Sequence, residues 1–253
     1  MRSWGEQTRD IESLLRLRTF PVALQLLSDA SELGSIRKVR RLDHSATFCQ
    51  VITLARTAGW TVGSTRDDLN DNCSTILGLS ESSPEALSGE RMTGVWFHKQ
   101  EDARKHQEAL RRIPSGRHNA VVAAPVASEK FQPDIVLIYA TPAQMILLVN
   151  GLQWEEYRRY TFYCVGETAC SDSIGECYLS GQPSVAIPCY GERRYGHVAE
   201  DELVMALPPD YLEKAITGLK GLSAAGLRYP IPPYGAQVDP RAGLARSYPD
   251  KHK

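Results

Sequence analysis

The sequence lacks the local signatures that mark many enzymes and binding proteins. It contains no CxxC pair, so the tight spacing of a zinc finger or a ferredoxin run is missing. There is no GxGxxG after its first apolar run and no GxxxxGK[ST], which leaves nucleotide binding by those routes unsupported. HExxH and GxSxG are absent too. Neither sign of charge is in excess: 29 Lys and Arg face 30 Asp and Glu, a formal net charge of -1. The short cluster KVRR, Lys38 to Arg41, reads as a solvated loop, and no basic run suits a nucleic-acid arm or a membrane patch. The most apolar stretch, Ile135 to Leu152, is broken by Pro142, Gln144, Asn150 and Gly151, which suits a strand, a turn and a helix rather than a membrane span. The opening MRSWGEQTRDIE has no apolar signal-peptide region. These absences predict a cytoplasmic protein with no nucleic-acid or membrane partner.

What is present is an ordinary globular composition. The chain has 253 residues, 42% hydrophobic and 23% charged, enough for one large domain or two small ones. Residues 1–20 carry an amphipathic N-terminal helix, with Ile11, Leu14 and Leu15 at helical spacing. PVALQLL from Pro21 suits a buried strand, and FCQVITLARTAG, Phe48 to Gly59, suits a helix ended by its glycine. Strands are expected at Trp60 to Thr65, Thr93 to Phe97 and Val121 to Val126, with a charged helix over Gln100 to Ile113.

The second half follows the same order. PDIVLIY from Pro133 lies on PVALQLL, and PAQMILLVNGL lies on the first helix with Gln144 on Gln50. A strand is expected at Tyr160 to Val165. CSDSIG, Cys170 to Gly175, lies on CSTILG, Cys73 to Gly78, while SVAIPC and LVMALP lie on TGVWFH and VVAAP. The expected fold class is therefore α/β, with α+β as the alternative. It is built as two diverged copies of a β-α-β-β-β unit, at 21–130 and 131–226, related by a pseudo-twofold. A single α+β domain with compositionally similar segments is the rival reading. The second copy ends in a helix bearing Leu212, Ile216, Leu219 and Leu222. Residues 227–253 form a proline-bearing extended tail, expected to support homo-oligomer formation.

The chemistry is concentrated in cysteines. Six of them in a reducing compartment are not a disulfide framework. Cys73 and Cys170 fall on equivalent positions, and Cys189 falls on His98. Cys49 lies on the first helix and Cys177 follows Cys170 closely, whereas Cys164 reads as core. Cys49, Cys73, Cys170, Cys177 and Cys189 are thus candidate metal ligands at a seam between copies. Soft thiolates favour an iron–sulfur cluster, with zinc as the alternative. Small buried thiols are also common core residues, and that reading stays open. Around Cys170, a candidate nucleophile, Glu167 and Asp172 are candidate acid–base groups. Arg193 and Arg194 could bind a small anionic molecule.

The segments PVALQLL, FCQVITLARTAG, NCSTILGL, PDIVLIYATPAQMILLVNGL, CSDSIGEC, IPCYGERR and EDELVMALP resemble the domain-of-unknown-function family 169, over about Leu17 to Leu222. The resemblance implies a cytoplasmic protein with cysteine-bearing motifs at Cys49, Cys73, Cys170 and Cys189, and it carries no catalytic assignment. Three functions follow as expectations. The first is an iron–sulfur enzyme, lyase-like or redox, acting on a small anion. The second is a metal-free enzyme using the Cys170 thiolate. The third is a non-catalytic small-ligand binding or sensing module.

Overall fold

A computed structural model describes residues 2–233; the last part of the expected tail, 234–253, lies outside the described residues. The elements in chain order are α1 (Trp4–Leu15), β1 (Val22–Leu27), α2 (Phe48–Ala58), β2 (Val62–Thr65), α3 (Asp71–Ile76), α4 (Pro84–Leu87) and α5 (Gln100–Ala109). There follow β3 (Ala120–Pro125), β4 (Ile135–Ala140), α6 (Pro142–Leu152), α7 (Glu176–Ser180), β5 (Ser184–Ala186), α8 (Tyr190–Gly196), β6 (Leu203–Leu207) and α9 (Asp210–Ala224). The fold is mixed α/β around one six-stranded sheet of order β2-β3-β1-β4-β6-β5. Every neighbouring pair is antiparallel, and β1 joins β4 at the centre, so the sheet runs unbroken across the expected boundary near residue 130.

Strand alternation sorts the core into two faces. Val22, Leu24, Ile135, Leu137, Tyr139, Val204 and Ala206 point to one cluster, which also holds Phe48, Val51 and Ile52 of α2. Ala23, Val136, Ile138, Met205 and Leu207 point to the other, covered by α1, α6 and α9 through residues such as Ile11, Leu148 and Ile216. Successive residues of a strand face opposite ways, so a sheet covered on both sides needs the near-continuous apolar runs seen here.

Two helices start alike. Thr47 accepts from the Gln50 N–H at 3.2 Å while Gln50 Oε1 accepts from the Thr47 N–H at 2.9 Å, the reciprocal cap of α2. Thr141 and Gln144 repeat it on α6, where Pro142 also occupies the first turn. Gly59 ends α2 with a left-handed φ of 72°.

Each half contributes three strands, where four were expected. Thr93–Phe97 is a tight turn: Gly94 sits at φ 76°, and the Met92 carbonyl accepts from the N–H groups of Val95, Trp96 and Phe97. Residues 160–165 form no strand. Phe162 and Tyr163 are exposed, and the Val165 N–H goes to the Asp172 carboxylate at 2.8 Å. The edge position beside β3 is filled by β2, which precedes the Cys73 turn. Its counterpart beside β6 is filled by β5, which follows the Cys170 turn. The intervening segments are helical: a π-helical turn at Ser171–Gly175, then α7 and α8.

Candidate functional site

Four cysteines gather on the sheet face covered by α2. Cys49 stands in the first turn of α2 and Cys73 on α3; Cys170 opens the π-turn and Cys189 immediately precedes α8. The α2–α8 contact is close. A methyl group at Gly196 would lie 3.1 Å from Cys49 Cβ, and Thr53 Oγ1 donates to the Gly196 carbonyl at 2.5 Å.

The two cysteine-bearing turns are held by one stretch of extended chain between α5 and β3. The Ile113 N–H donates to the Ile76 carbonyl at 3.0 Å, on the Cys73 side. The Arg111 N–H donates to Ser171 Oγ at 2.7 Å, on the Cys170 side. Glycine is required on both sides. A methyl at Gly78 would stand 2.7 Å from the Ile113 carbonyl oxygen, and one at Gly175 would overlap the Arg111 carbonyl oxygen. These glycines are the last residues of the matching CSTILG and CSDSIG motifs.

The thiols differ in chemistry. Cys49 donates to Cys73, which pushes Cys49 well above the ordinary thiol range and, with the Phe48 N–H 3.3 Å from Cys73 Sγ, pulls Cys73 down despite its burial. Burial drives Cys170 well up, and the charges of Cys73 and Cys189 add to it. Burial also raises Cys189, whose thiol hydrogen-bonds the Glu167 carboxylate; Glu167 is itself raised by burial. His106, on α5, holds this loop by donating Nε2–H to the Glu167 carbonyl at 3.2 Å.

All four sulfurs feel one carboxylate, Glu192. It is buried on α8, and burial raises it above the ordinary carboxylate range. Tyr139 of β4 donates to Glu192 Oε1 at 3.0 Å, while Oε2 is buried without a partner. Behind Tyr139 lies the Arg56 guanidinium, 4.1 Å from the ring centroid, paired to Glu202 at 2.9 Å. This buried array escaped sequence reading. Its only local trace is a glutamate three residues after Cys189, in CYGERR.

The other expected residues lie apart from the four thiols or serve the backbone. Cys177 is buried in α7, its thiol pushed up to about 12 by burial, and Cys164 is exposed. Asp172 accepts from Val165 and faces a neighbouring cleft with Glu176 and Arg111; burial raises its carboxyl. Arg193 Nη1 donates to the Ala199 carbonyl at 2.5 Å. Arg194 is exposed and bonds the Tyr190 hydroxyl at 3.0 Å. His98, the counterpart of Cys189 in the sequence overlay, is exposed. Among the described residues, no three His, Cys, Asp or Glu side chains are grouped to hold a single metal ion. No helix among them is long and apolar enough to cross a membrane.

The family described as "Uncharacterised ArCR", domain of unknown function 169, matches residues 10–218. The chain is also similar to the uncharacterized protein MJ0308 of Methanocaldococcus jannaschii, 23% identical over 219 residues, covering 85% of this chain and 93% of that protein. No solved structure matches.

Proposed function

The chain belongs to the domain-of-unknown-function family 169, and we propose that it is an enzyme built on an iron–sulfur cluster held by Cys49, Cys73, Cys170 and Cys189. It acts on a small anionic substrate in a lyase-like or redox reaction. The observation that carries this reading is the convergence of four thiols, two from each half of the chain, around one buried carboxylate.

The donor set fits the group. Four soft thiolates suit iron–sulfur ligation. Backbone N–H groups already reach the sulfurs: Phe48 to Cys73, and Ala169 and Glu192 to Cys189. A single zinc ion would need its thiolates closed around it at about 2.3 Å each. Cluster ligands bind separate irons and stand farther apart, so binding would part the Cys49 and Cys73 sulfurs. When bound, the group would supply electron transfer or, with one thiol withheld, an open Lewis-acidic iron. The thiol that hydrogen-bonds Glu167 is Cys189, so Glu167 is positioned to hold a proton beside that ligand.

We also infer that the halves descend from one duplicated unit, with the site at their seam. Support comes from the mirrored strand order β3-β1 and β4-β6, the matching Thr-x-x-Gln caps, and the Cys-x4-Gly turns on one shared clamp. The copies have diverged, since α2 and α6 cover opposite faces of the sheet.

The test is iron and acid-labile sulfide analysis of anoxically purified protein, with its visible spectrum. The expected preparation is brown. Serine at position 49, 73, 170 or 189 should lower its iron, and serine at 164 or 177 should not. A colourless, iron-free protein that folds and turns over would sink the reading.

The hydrogen-bonded Cys49–Cys73 pair favours a second reading, a metal-free thiolate enzyme, with Cys73 rather than Cys170 as the nucleophile. In that case iron-free protein should be alkylated near neutral pH at Cys73 before Cys170, and Cys49→Ala should slow the Cys73 reaction.

A further inference from the structure

A cavity of about 160 Å³ opens beside the clamp that holds the cysteine turns. Its wall includes Arg112 of that clamp, Asn72 next to Cys73, and Thr168 two residues before Cys170. Arg66 and Arg91 complete a set of three guanidinium groups, with Ser82 beside them. Among the described residues the wall carries one carboxylate, Glu81, which is exposed. The cavity far exceeds the roughly 10–15 Å³ that one water needs, so it can admit a small multi-atom solute.

We infer that this cavity is an oxyanion-binding subsite, taking the carboxylate or phosphate group of a small ligand and holding it against the cysteine turns. Arg112 is built for the role. Gln107 fixes both of its terminal nitrogens, the carbonyl on Nη1 and Oε1 on Nη2, each at 2.6 Å. The guanidinium is thereby fixed in orientation by neutral acceptors, and among the described residues no carboxylate is ion-paired to it. Its Nε and the Ser82 hydroxyl are buried without hydrogen-bond partners. Burial lowers the Arg112 pKa, the sign of a cation short of compensating charge. An oxyanion in the cavity supplies the missing charge. Thr168 sits at a left-handed φ of 66°, a conformation uncommon for threonine, in the loop that links this wall to Cys170.

The subsite deepens the proposed function by locating the anionic part of the substrate. Its existence does not depend on the cluster, and the experiment separates the two. Inorganic phosphate and malonate are titrated calorimetrically into the full-length protein at low ionic strength, before and after iron removal, with chloride as the control. Iron analysis alone decides the cluster. One-site binding of phosphate or malonate is expected in both preparations, and the stronger of the two identifies the ligand group. Arg66→Gln, Arg91→Gln and Arg112→Gln should each weaken it about tenfold or more, since a charge-assisted hydrogen bond contributes on that scale. If Arg112→Gln fails to fold, the exposed Arg66 and Arg91 variants decide. No saturation with either anion through the millimolar range overturns the inference. So does binding that the Arg66 and Arg91 changes leave untouched.

Discussion

Tyr139 and Glu192 form a buried donor–acceptor pair, the tyrosine hydroxyl 3.0 Å from Glu192 Oε1. The pair ties the central strand β4 to α8, the helix that follows Cys189. Burial, followed by the facing carboxylate, pushes the Tyr139 pKa well up, while the tyrosine's hydrogen bond opposes the rise that burial imposes on Glu192. Removing one partner strands the other. Tyr139→Phe should therefore cost about 1–3 kcal/mol, the desolvation penalty of an unpartnered buried acceptor. Changing both, Tyr139→Phe with Glu192→Met, should recover most of it. Urea midpoints at constant slope measure both outcomes, and a double variant as unstable as the single one would refute the account.

Arg56 and Glu202 give a sharper case, because both ends are charged. Their side chains are 3% and 2% exposed, so neither charge can relax into water. Two of the three Arg56 nitrogens, Nε and Nη1, have no hydrogen-bond partner. Arg56→Met should destabilise the fold by about 3–5 kcal/mol, since it leaves Glu202 buried and uncompensated. Arg56→Met combined with Glu202→Met should lose much less. Thermal or urea unfolding of the two variants reads the difference.

His118 is an acid-sensitive group away from the cysteines. Its Nε2 lies 2.9 Å from the Tyr178 hydroxyl, and Nδ1 is buried without a partner. Burial lowers its pKa; Asp134 opposes the shift and Arg117 adds to it. A histidine depressed in the folded state binds fewer protons there than when unfolded. Its contribution is present above the unfolded value of about 6.5 and is lost as pH falls through the lower folded value. Stability should therefore drop as pH falls below the unfolded value of about 6.5 and on through the lower folded value, and His118→Gln should flatten that drop. An unchanged slope in the variant would show that other groups set it.

Much of the sheet was legible because alternation and apolar runs are local properties. Val22–Leu27, Val62–Thr65, Ala120–Pro125, Ile135–Ala140 and Leu203–Leu207 fall where the pattern places strands. The segment TFYCVG has the residue types of a strand but no ladder partner, and strand formation is decided by pairing rather than propensity. The cysteine overlay brought Cys73, Cys170 and Cys189 to notice, and Cys49 through the family motif. Nothing local signals that Glu192 is buried among them, because its burial comes from α8 packing on α2. The cavity arginines, Arg66, Arg91 and Arg112, are dispersed along the chain. They line one cavity through the fold, beside the clamp segment that bonds both cysteine turns.

That clamp supplies a prediction linking packing to the site. The Arg111 backbone grips the π-turn twice: its N–H bonds Ser171 Oγ, and its carbonyl lies directly over Gly175. Gly175→Ala drives a methyl group into that carbonyl, so either the clamp or the turn must move. Overpacking of this kind costs about 1–3 kcal/mol. Because Cys170 opens the turn, the displacement should also reduce iron per folded protein. Gly151→Ala is the control, since its methyl would stand 2.9 Å from the Ala215 carbonyl oxygen on the opposite face, between α6 and α9. It should lower stability while leaving iron content intact. Iron measured per folded molecule in the two variants separates a local effect on the cysteine turn from general destabilisation. Equal iron loss in both would mean that the clamp does not position Cys170.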